Sequence, residues 1–260
     1  MSPYLARIDI FPIKSLDGVS VSQARVLASG ALQDDRAYAL VDAQNRFING
    51  KRNAAVHRLR STFGADRRSV TWTVEGTGAI AQFDLDRQRP ALEVWLSEYF
   101  QQPVRLQENR QTGFPDDTAA NGPTLISRAT LATVASWYPH LTVAEVRRRL
   151  RTNLEIDGVP AFWEDRLFSP NATPVRFTLG AVVLEGINPC QRCVVPTRDS
   201  VTGQPSPDFQ TIFSQRRAAT LPPWTHPNRF NHFYRLAVNT NILNQAGRLL
   251  TVGDPLQLLP

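Results

Sequence analysis

The sequence predicts a mainly β fold with several helices, which places it in the α+β class. Apolar and polar residues alternate over short segments along much of the 260-residue chain, a period typical of half-buried strands. Turn-forming residues separate these segments in the first half, at residues 42–45 and 75–78. A smaller number of segments show helical spacing and residues suited to helix ends.

The first half contains the clearest run of strand patterns. Strands are predicted at residues 4–10, 19–27, 37–41, 69–74 and 80–85. Together they predict a small antiparallel β unit. Pro90 then begins a predicted helix that ends near residue 101, because proline is favourable in the first helical turn, where its missing N–H would have no partner anyway.

A polar segment, residues 111–123, is rich in glycine, proline and aspartate and predicts a linker. It divides the chain into two predicted domains, residues 1–115 and 116–260. Strands of the second domain are predicted at residues 153–156, 175–179, 181–185, 193–195, 233–238 and 256–259. The sequence shows no internal repeat and no low-complexity segment.

Three helices are predicted in the second domain. Ser127 caps the first, which ends near residue 137, and Asp208 caps the third, at residues 209–219. Thr142 and Glu145 form a capping box for the second helix, which continues to about residue 150. Several arginines crowd the end of this second helix, where cations interact favourably with the helix dipole: Arg147, Arg148, Arg149 and Arg151.

Composition excludes several classes of protein. The hydrophobic fraction is 42% and the charged fraction 20%, which is globular rather than disordered. The apolar stretches are far shorter than the roughly 20 residues of a membrane helix, and the N-terminus does not resemble a signal peptide. The two cysteines are too few for a disulfide scaffold or a four-ligand iron–sulfur cluster. We therefore expect a soluble, cytoplasmic protein with reduced thiols and no membrane span.

The basic residues are almost all arginines. The chain has a net charge of +6, with 27 arginines and only two lysines, Lys14 and Lys51. The planar guanidinium fits phosphate and carboxylate groups, which favours an anionic ligand such as a nucleotide or a phosphorylated cofactor. The competing interpretation is a genomic bias toward arginine, with most guanidiniums in water.

The sequence Asn-Pro-Cys-Gln-Arg-Cys at residues 188–193 is the most distinctive motif. A zinc site normally needs four ligands, and neither a second cysteine pair nor a suitable histidine pair is present. A thioredoxin-type pair begins a helix, whereas this one leads into a predicted strand. The motif then indicates either two buried structural thiols or a reactive thiolate that ligates a soft metal or attacks a substrate. Arg192 stands beside Cys193, and a neighbouring cation favours the thiolate form.

Two further groups of residues suit an oxyanion. Lys14 and Ser15 follow the first strand and could clamp a phosphate, although no glycine-rich P-loop precedes them. Arg36 stands near the start of a later strand, where an ordinary surface charge is the alternative. Arg151 and Asn153 lie between a helix and a strand, and this pair can hold a phosphate or an amide-like ring edge.

These stretches occur in an order that resembles the MOSC family, in which an N-terminal β-barrel region precedes a MOSC domain. The similarity is greatest to the mitochondrial amidoxime-reducing component and its bacterial relatives, and it covers essentially the whole chain. The matching stretches are residues 10–15 (IFPIKS), Gly30 with residues 35–38 (DRAY), residues 125–130 (LISRAT), 151–154 (RTNL), 188–193 (NPCQRC) and 252–255 (VGDP). The resemblance implies an N-terminal antiparallel β-barrel-like region and a MOSC β-barrel with peripheral helices.

The resemblance also implies a cofactor and its ligands. The family binds the molybdenum cofactor, Mo-molybdopterin, in which a pyranopterin phosphate holds molybdenum through a dithiolene. Its metal-ligating, catalytic cysteine corresponds to Cys193. Lys14, Ser15 and Arg36 match the positions around the cofactor phosphate. The positions that line the pterin are matched by Ser127, Arg128, Arg151, Asn153 and Arg192, and an aromatic residue near the metal corresponds to Phe233 or Tyr234.

The activity implied by this resemblance is a molybdenum-dependent oxidoreductase that reduces small N-hydroxylated compounds. Its electrons would come from an external ferredoxin-like or cytochrome-like protein, because the chain shows neither cluster ligands nor a dinucleotide-binding glycine motif. An alternative is a cofactor carrier or a sulfur-transfer protein with a persulfide on Cys193. A nucleic-acid-binding barrel is not favoured, because no aromatic residues are interleaved with a basic stretch.

Overall fold

The computed structural model describes residues 2–260 and confirms the α+β class. The elements of the first half are β1 (Tyr4–Ile10), β2 (Val19–Val21), β3 (Gln23–Arg25), β4 (Tyr38–Val41), α1 (Ala55–Arg58), β5 (Leu59–Phe63), β6 (Ser69–Val74), β7 (Ile80–Asp84), α2 (Arg89–Phe100) and β8 (Arg105–Glu108). Those of the second half are β9 (Leu125–Ser127), α3 (Arg128–Ser136), α4 (Val143–Leu150), β10 (Leu154–Asp157), β11 (Val175–Leu179), β12 (Val182–Gln191), α5 (Phe209–Ala219), β13 (Arg235–Asn241), β14 (Leu249–Thr251) and β15 (Leu256–Leu258).

An eight-stranded sheet forms the centre of the molecule. Its strand order is β15-β11-β12-β13-β9-β10-β1-β2, and only β9 and β10 pair in parallel. The edge strand β15 approaches the start of β1, because the Leu5 N–H donates to Asp254 O at 2.8 Å and the Leu256 N–H donates to Pro3 O at 2.9 Å. The sheet therefore curls back toward its own first strand, in the manner expected of a barrel-like fold.

The two halves of the chain are joined through shared sheets. β1 pairs with β10 of the second half, and β3 pairs with β14. The remaining strands of the first half form short antiparallel ladders, β4 with β8 and β5-β6-β7. The domain boundary at residues 115 and 116 stays a prediction, and the backbone pairing shows that strands from both sides of it belong to one hydrogen-bonded core.

The apolar residues form three buried clusters. One lies against the large sheet around Leu154 and Phe177, and a second packs α2 onto the ladders of the first half around Trp72. The third packs α3, α4 and α5 around Phe213. No helix in residues 2–260 combines the length and the apolar character needed to cross a bilayer.

Several predicted elements differ from the observed ones. The strand predicted at residues 193–195 is wrong: β12 ends at Gln191, and a 3-10 helix covers Val195–Thr197. Pro196 explains the difference, because it has no N–H for a sheet ladder. The strand predicted at 19–27 is two strands, and β5, β8 and β9 were not predicted.

The predicted helix starts are correct in position, but only some of the predicted capping hydrogen bonds form. Ser127 Oγ accepts a hydrogen bond from the Thr130 N–H at 3.1 Å, and Thr142 Oγ1 accepts one from the Glu145 N–H at 3.1 Å. The capping box is only half formed, because the Glu145 carboxylate accepts from Arg149 instead of reaching back to the cap. Asp208 precedes α5 but makes no side-chain cap bond.

The arginines at the end of α4 are not simply dipole-stabilising surface charges. Arg147 forms an ion pair with the buried Glu155, and Arg148 and Arg149 pair with Glu145 at 2.8 and 2.6 Å. Arg151 alone has no carboxylate partner within the described chain. Three of these arginines do lie in the last turn of α4, as the interpretation based on the helix dipole requires, and each of the three also forms a specific ion pair.

A buried polar cluster lies behind α3. Arg217 and Asp165 form an ion pair at 2.5 Å, and Arg217 stacks between the rings of Phe162 and Phe230. Glu164 is 1% exposed, and neither of its carboxylate oxygens has a hydrogen-bond partner among residues 2–260. Burial, reinforced by the charge of Asp165, raises the pKa of Glu164 to about 7.

The raised pKa of Glu164 makes stability depend on pH. A carboxyl that binds its proton more tightly in the folded state stabilises the fold below its unfolded pKa of 4.5, and this stability is lost as the pH rises toward 7. One pKa unit corresponds to about 1.4 kcal/mol. The free energy of unfolding of Glu164→Gln, measured relative to the wild type, should therefore be about 3 kcal/mol higher at pH 8 than at pH 4.5.

Chemical denaturation at both pH values measures this difference. Glu98→Gln, on the exposed face of α2, is the matched control, because its side chain stays in water in both states. A difference between Glu164→Gln and the wild type that stays constant with pH would contradict the assignment.

Candidate functional site

A cavity of about 660 Å³ opens where the two halves of the chain meet. Its wall combines the segment after β1, the turn before β4 and the loop before α1 with the end of α4 and the end of β12. Residues 112–124 run along it and connect the halves. This volume falls in the range of small-molecule and cofactor sites.

The cavity carries the charge imbalance of the whole protein. Ten basic side chains line it against four carboxylates, an excess of six positive charges. The whole chain has a net charge of +6, so the remainder of the molecule is balanced. The concentration of cations in one concave site favours a specific anionic ligand over a general arginine bias.

Backbone pairing places Lys14 and Arg36 side by side. The Arg36 N–H donates to Phe11 O at 2.7 Å, and the Lys14 N–H donates to Tyr38 O at 2.8 Å. The Asp35 carboxylate accepts from the Phe11 N–H and also pairs with the Arg36 guanidinium at 2.5 Å. The segment after β1 is thereby fixed against the turn before β4, which holds both cations at the cavity wall.

Lys14 is a buried cation that depends on one carboxylate. Its ammonium donates to Asp116 Oδ1 and to Phe114 O, each at 2.8 Å, and Lys51 lies 3.7 Å from the same carboxylate. Burial lowers the pKa of Lys14, whereas the charges of Lys14 and Arg36 hold the pKa of Asp116 well below its usual range despite its own desolvation. Lys14 is 8% exposed whereas 59% of the Asp116 side chain is exposed, so an incoming anion reaches the Lys14 ammonium by displacing the Asp116 carboxylate.

Arg151 is the least compensated cation of the site. It follows α4 in the left-handed conformation with φ 54°, its guanidinium stacks on the Phe11 ring at 4.3 Å, and one amino group donates to Leu16 O. Its Nη2 is buried without a hydrogen-bond partner in the described residues. Burial, together with the positive charge of Arg36, lowers the pKa of Arg151 to about 10. A bound anion would stabilise such a group, because it would pair with the charge and accept the free hydrogen bond.

The two cysteines lie at the end of β12, where that strand enters the cavity. Arg192 Nη1 donates to Cys190 Sγ at 3.4 Å, its other amino group donates to Leu150 O, and its Nε is buried without a partner. Cys193 is half-buried, and no hydrogen bond to its sulfur occurs within residues 2–260. The expected contact of Arg192 with Cys193 is thus made with Cys190, and the Cys193 sulfur is left open to the cavity.

The structure brings most of the sequence-predicted residues together. Seven of the nine line the cavity: Lys14, Ser15, Arg36, Arg151, Asn153, Arg192 and Cys193. The Asn153 amide is already engaged, since its Nδ2 donates to Asp9 O at 3.1 Å and its oxygen accepts from Thr124. We therefore regard Asn153 as a positioning residue rather than a direct contact.

Ser127 and Arg128 do not line the cavity. The Ser127 side chain is fully buried as the cap of α3, and Arg128 points to the surface toward Asp157 and Ala6 O. The start of α3 lies outside the cavity lining, and the contact of these two residues with a pterin stays a prediction. Tyr234 is buried with an unpartnered hydroxyl, and burial raises its pKa. It is not part of the cavity lining.

Several cavity residues were missed by sequence reasoning. Lys51, His57, Asp116 and Arg198 all line the cavity. Only Lys51 carried a signal, as the second of two lysines in an arginine-rich chain. The others come from loops that are distant in sequence, and their proximity depends on the tertiary fold.

The arrangement fits a phosphorylated ligand with a soft metal. Lys14, Lys51 and Arg36 offer charge-assisted hydrogen bonds to oxygen atoms of a phosphate. The unpartnered Nη2 of Arg151 and Nε of Arg192 are donors that a ligand would satisfy. A single open thiol suits a soft transition metal held by other ligands of its own, and within residues 2–260 no three His, Cys, Asp or Glu side chains cluster as a metal site.

Comparison with known proteins agrees with the sequence resemblance. Residues 2–119 match the MOSC N-terminal beta barrel domain, and residues 123–257 match the MOSC domain. Curated relatives include a molybdenum cofactor sulfurase from Caenorhabditis elegans, 24% identical over 80% of this chain, and one from Drosophila grimshawi, 23% identical over 100% of it.

The chain spans only 31% and 35% of these two relatives. Among solved structures, the YUAD protein from Bacillus subtilis aligns over 98% of this chain and 94% of its own, with 10% identity and a TM-score of 0.38, a level that does not establish a shared fold. The two domain matches are consecutive and together extend from residue 2 to residue 257, and the chain therefore belongs to the MOSC family.

Proposed function

We propose that this protein binds the molybdenum cofactor in its cavity and reduces small N-hydroxylated compounds with electrons from an external redox protein. The observation that carries the proposal is that one cavity combines the open Cys193 thiol with Lys14, Arg36 and the uncompensated Arg151. The MOSC domain match and the names of the curated relatives support the broader part of the proposal, a role connected with this cofactor.

The phosphate of the cofactor would bind at the corner formed by Lys14, Ser15 and Arg36. The Ser15 hydroxyl lines the cavity and makes no hydrogen bond within the described chain, so it is free to donate. Lys14 and Arg36 are already held by backbone pairing, which lowers the entropy lost on binding. An entering phosphate would compete with Asp116 for Lys14.

The remaining residues would orient the ring system and the metal. Arg151 and Arg192 offer unpartnered N–H groups, and Asn153 holds the floor of the cavity through its bonds to Asp9 O and Thr124. When bound, the cofactor supplies the two-electron redox chemistry at molybdenum. The protein contributes the Cys193 ligand, a fixed geometry and a wall that limits access of water.

The two cysteines make unequal contributions under this proposal. Cys193→Ser should lose bound molybdenum and turnover, because an alcohol is a much poorer ligand than a thiolate for a soft metal. Cys190→Ser should retain both, since the Cys190 sulfur is bonded to Arg192. Metal analysis and fluorescence of the oxidised pterin, on protein from a molybdenum-replete host, measure the cofactor. Equal losses in the two variants would favour a dithiol mechanism instead.

Lys14→Ala combined with Arg36→Ala should lower the pterin content of the purified protein more than it lowers the thermal stability of the cofactor-free protein. The reason is that each charge-assisted hydrogen bond to phosphate contributes about 1.5–3 kcal/mol. Arg87→Ala with Arg216→Ala is the matched control, because it removes two exposed positive charges outside the cavity. Unchanged pterin content in the Lys14 and Arg36 double variant would refute the phosphate assignment.

The proposal also requires an electron donor. The two cysteines cannot hold a four-ligand cluster, and no glycine-rich dinucleotide motif occurs in the sequence. We therefore propose a separate ferredoxin-like or cytochrome-like protein. Such donors are often acidic, and the positive charges at the cavity would steer their approach.

With cofactor-loaded protein, NADH alone should not support reduction of an N-hydroxylated substrate. A reduced ferredoxin with its reductase should support it, and the rate should fall as salt rises, because the Debye length is about 8 Å at 0.15 M ionic strength. A small artificial one-electron donor is the control for an intact metal site. Rapid turnover with NADH as the sole reductant would contradict this prediction.

A second candidate is a sulfur-transfer or carrier function for the same cofactor. The names of the curated relatives favour it, and the open Cys193 thiol is a site at which a persulfide could reside. Mass spectrometry of the freshly purified protein distinguishes the two functions. A persulfide on Cys193 without retained molybdenum supports sulfur transfer, whereas retained molybdenum with turnover supports the reductase.

A further inference from the structure

A second basic corner of the cavity is not used by the proposed phosphate site. Arg198 and His57 line the cavity but are hydrogen-bonded to none of Lys14, Lys51 and Asp116. His57 belongs to α1 in the first half, and Arg198 follows the 3-10 helix Val195–Thr197 in the second half. The corner is thus assembled by the meeting of the two halves.

Arg198 is a cation without an anion. Its Nη1 donates to Gly203 O at 3.1 Å, which fixes the side chain against its own loop. Its Nε is buried without a hydrogen-bond partner, and no carboxylate of residues 2–260 lies within ion-pair distance of it. The nearby Asp199 carboxylate faces Arg149 instead, at 3.6 Å. A buried N–H of a charged group without a partner is costly unless a ligand satisfies it.

His57 is held in a fitted position between two glycines. A Cβ at Gly50 would lie 2.7 Å from His57 Nε2, and one at Gly203 would lie 3.2 Å from His57 Cδ2 and 2.8 Å from Ala54 O. Nε2 lies 3.3 Å from Gly50 O, and no hydrogen bond to Nδ1 occurs in the described chain. The Nε2–Cδ2 edge of the imidazole is therefore packed against the two glycines, whereas Nδ1 has no hydrogen-bond partner in the described chain.

Arg151 connects this corner to the first one. Burial lowers the pKa of His57, and the charges of Arg198, Arg151 and Arg60 lower it further. Of these three cations, Arg60 is compensated by Asp17 at 2.7 Å, whereas Arg151 and Arg198 have no carboxylate partner. Geometry places Arg198 beside the imidazole, because its Nη1 donates to Gly203 O and a Cβ at Gly203 would lie 3.2 Å from His57 Cδ2. Arg151 lines the same cavity and acts on the imidazole through its charge, and an oxyanion bound there would offset both positive charges.

We propose that Arg198, His57 and Arg151 form a second oxyanion subsite, which binds a phosphate or carboxylate group distinct from the phosphate held by Lys14 and Arg36. The subsite rests on the proposed function only for the identity of the molecule that carries the anion. Two sources have this chemistry: a second phosphate on a diphosphate form of the cofactor, or an anionic group on the substrate.

Inorganic phosphate is the probe, and the histidine ring signals of the cofactor-free full chain are the readout. The chain has four histidines, so the His57 signals can be assigned by their loss in His57→Gln. Phosphate should shift the His57 signals saturably and move their titration to higher pH, because a bound anion favours the imidazolium. Chloride at equal ionic strength should not do so. A wild-type His57 signal that does not respond to phosphate overturns the proposal.

Charge variants test the assignment of the subsite. Arg198→Gln should lower the phosphate affinity, measured from the His57 signals, by about tenfold or more, because it removes a charge-assisted hydrogen bond. Arg198→Lys, which keeps the charge, should restore part of it. Arg216→Gln is the matched control outside the cavity and should have no effect. Equal phosphate affinities in Arg198→Gln and Arg216→Gln would overturn the proposal.

Two further arms separate this subsite from the first one and identify its source. Lys14→Ala should leave the His57 response in place, and its abolition would show that one anion site accounts for all binding. Cofactor-loaded protein in which His57 no longer responds to phosphate indicates a second cofactor phosphate, whereas a retained response indicates the substrate. Failure of the proposed function would appear separately, as absence of pterin and molybdenum from a protein whose His57 still binds phosphate.

Discussion

The burial of the Arg151 guanidinium without a carboxylate partner is the constraint on which the site depends. A cation without a paired carboxylate in a buried position is costly, and here the cost is offset in part by the Phe11 ring, the Leu16 carbonyl and the more distant charges of nearby aspartates. The neighbouring arginines at the end of α4 show the alternative, because Arg147 and Arg149 both have glutamate partners. Carboxylates thus pair with the other arginines at this end of α4, whereas Arg151, which lines the cavity, has no carboxylate partner in the described chain.

Sequence periodicity predicted much of the fold because local chemistry decided it. β1, β6 and β11 alternate strongly and were predicted with the observed bounds, and α5 was placed at the observed residues. The failures have tertiary causes. The short strand β9 is buried on both faces between β13 and β10, so it has no alternation to recognise. The segment after Cys193 contains apolar β-branched residues, but Pro196 and the turn into the next loop exclude it from the sheet.

Prediction of the site was limited in the same way. Motifs that are contiguous in sequence were placed in the cavity, such as Lys14 with Ser15 and Arg151 with Asn153. Ser127 and Arg128 belong to a contiguous motif as well, yet the start of α3 turns them toward the buried polar cluster and the surface. His57 and Arg198 lie 141 positions apart, and periodicity or spacing in a single sequence does not bring such residues together.

The backbone and the charges at the cavity follow one physical pattern. Ser15, Arg36 and Arg151 all have positive φ, at 73°, 49° and 54°, a conformation that costs non-glycine residues free energy and persists where the surrounding structure enforces it. The same residues lie where cations outnumber carboxylates. Positive charge thus concentrates in the cavity, and the rest of the protein is charge-balanced and packed in three apolar clusters. Because a ligand that binds only the native state adds its binding free energy to the free energy of unfolding, a bound anion would stabilise the fold at the place where its positive charges are least compensated.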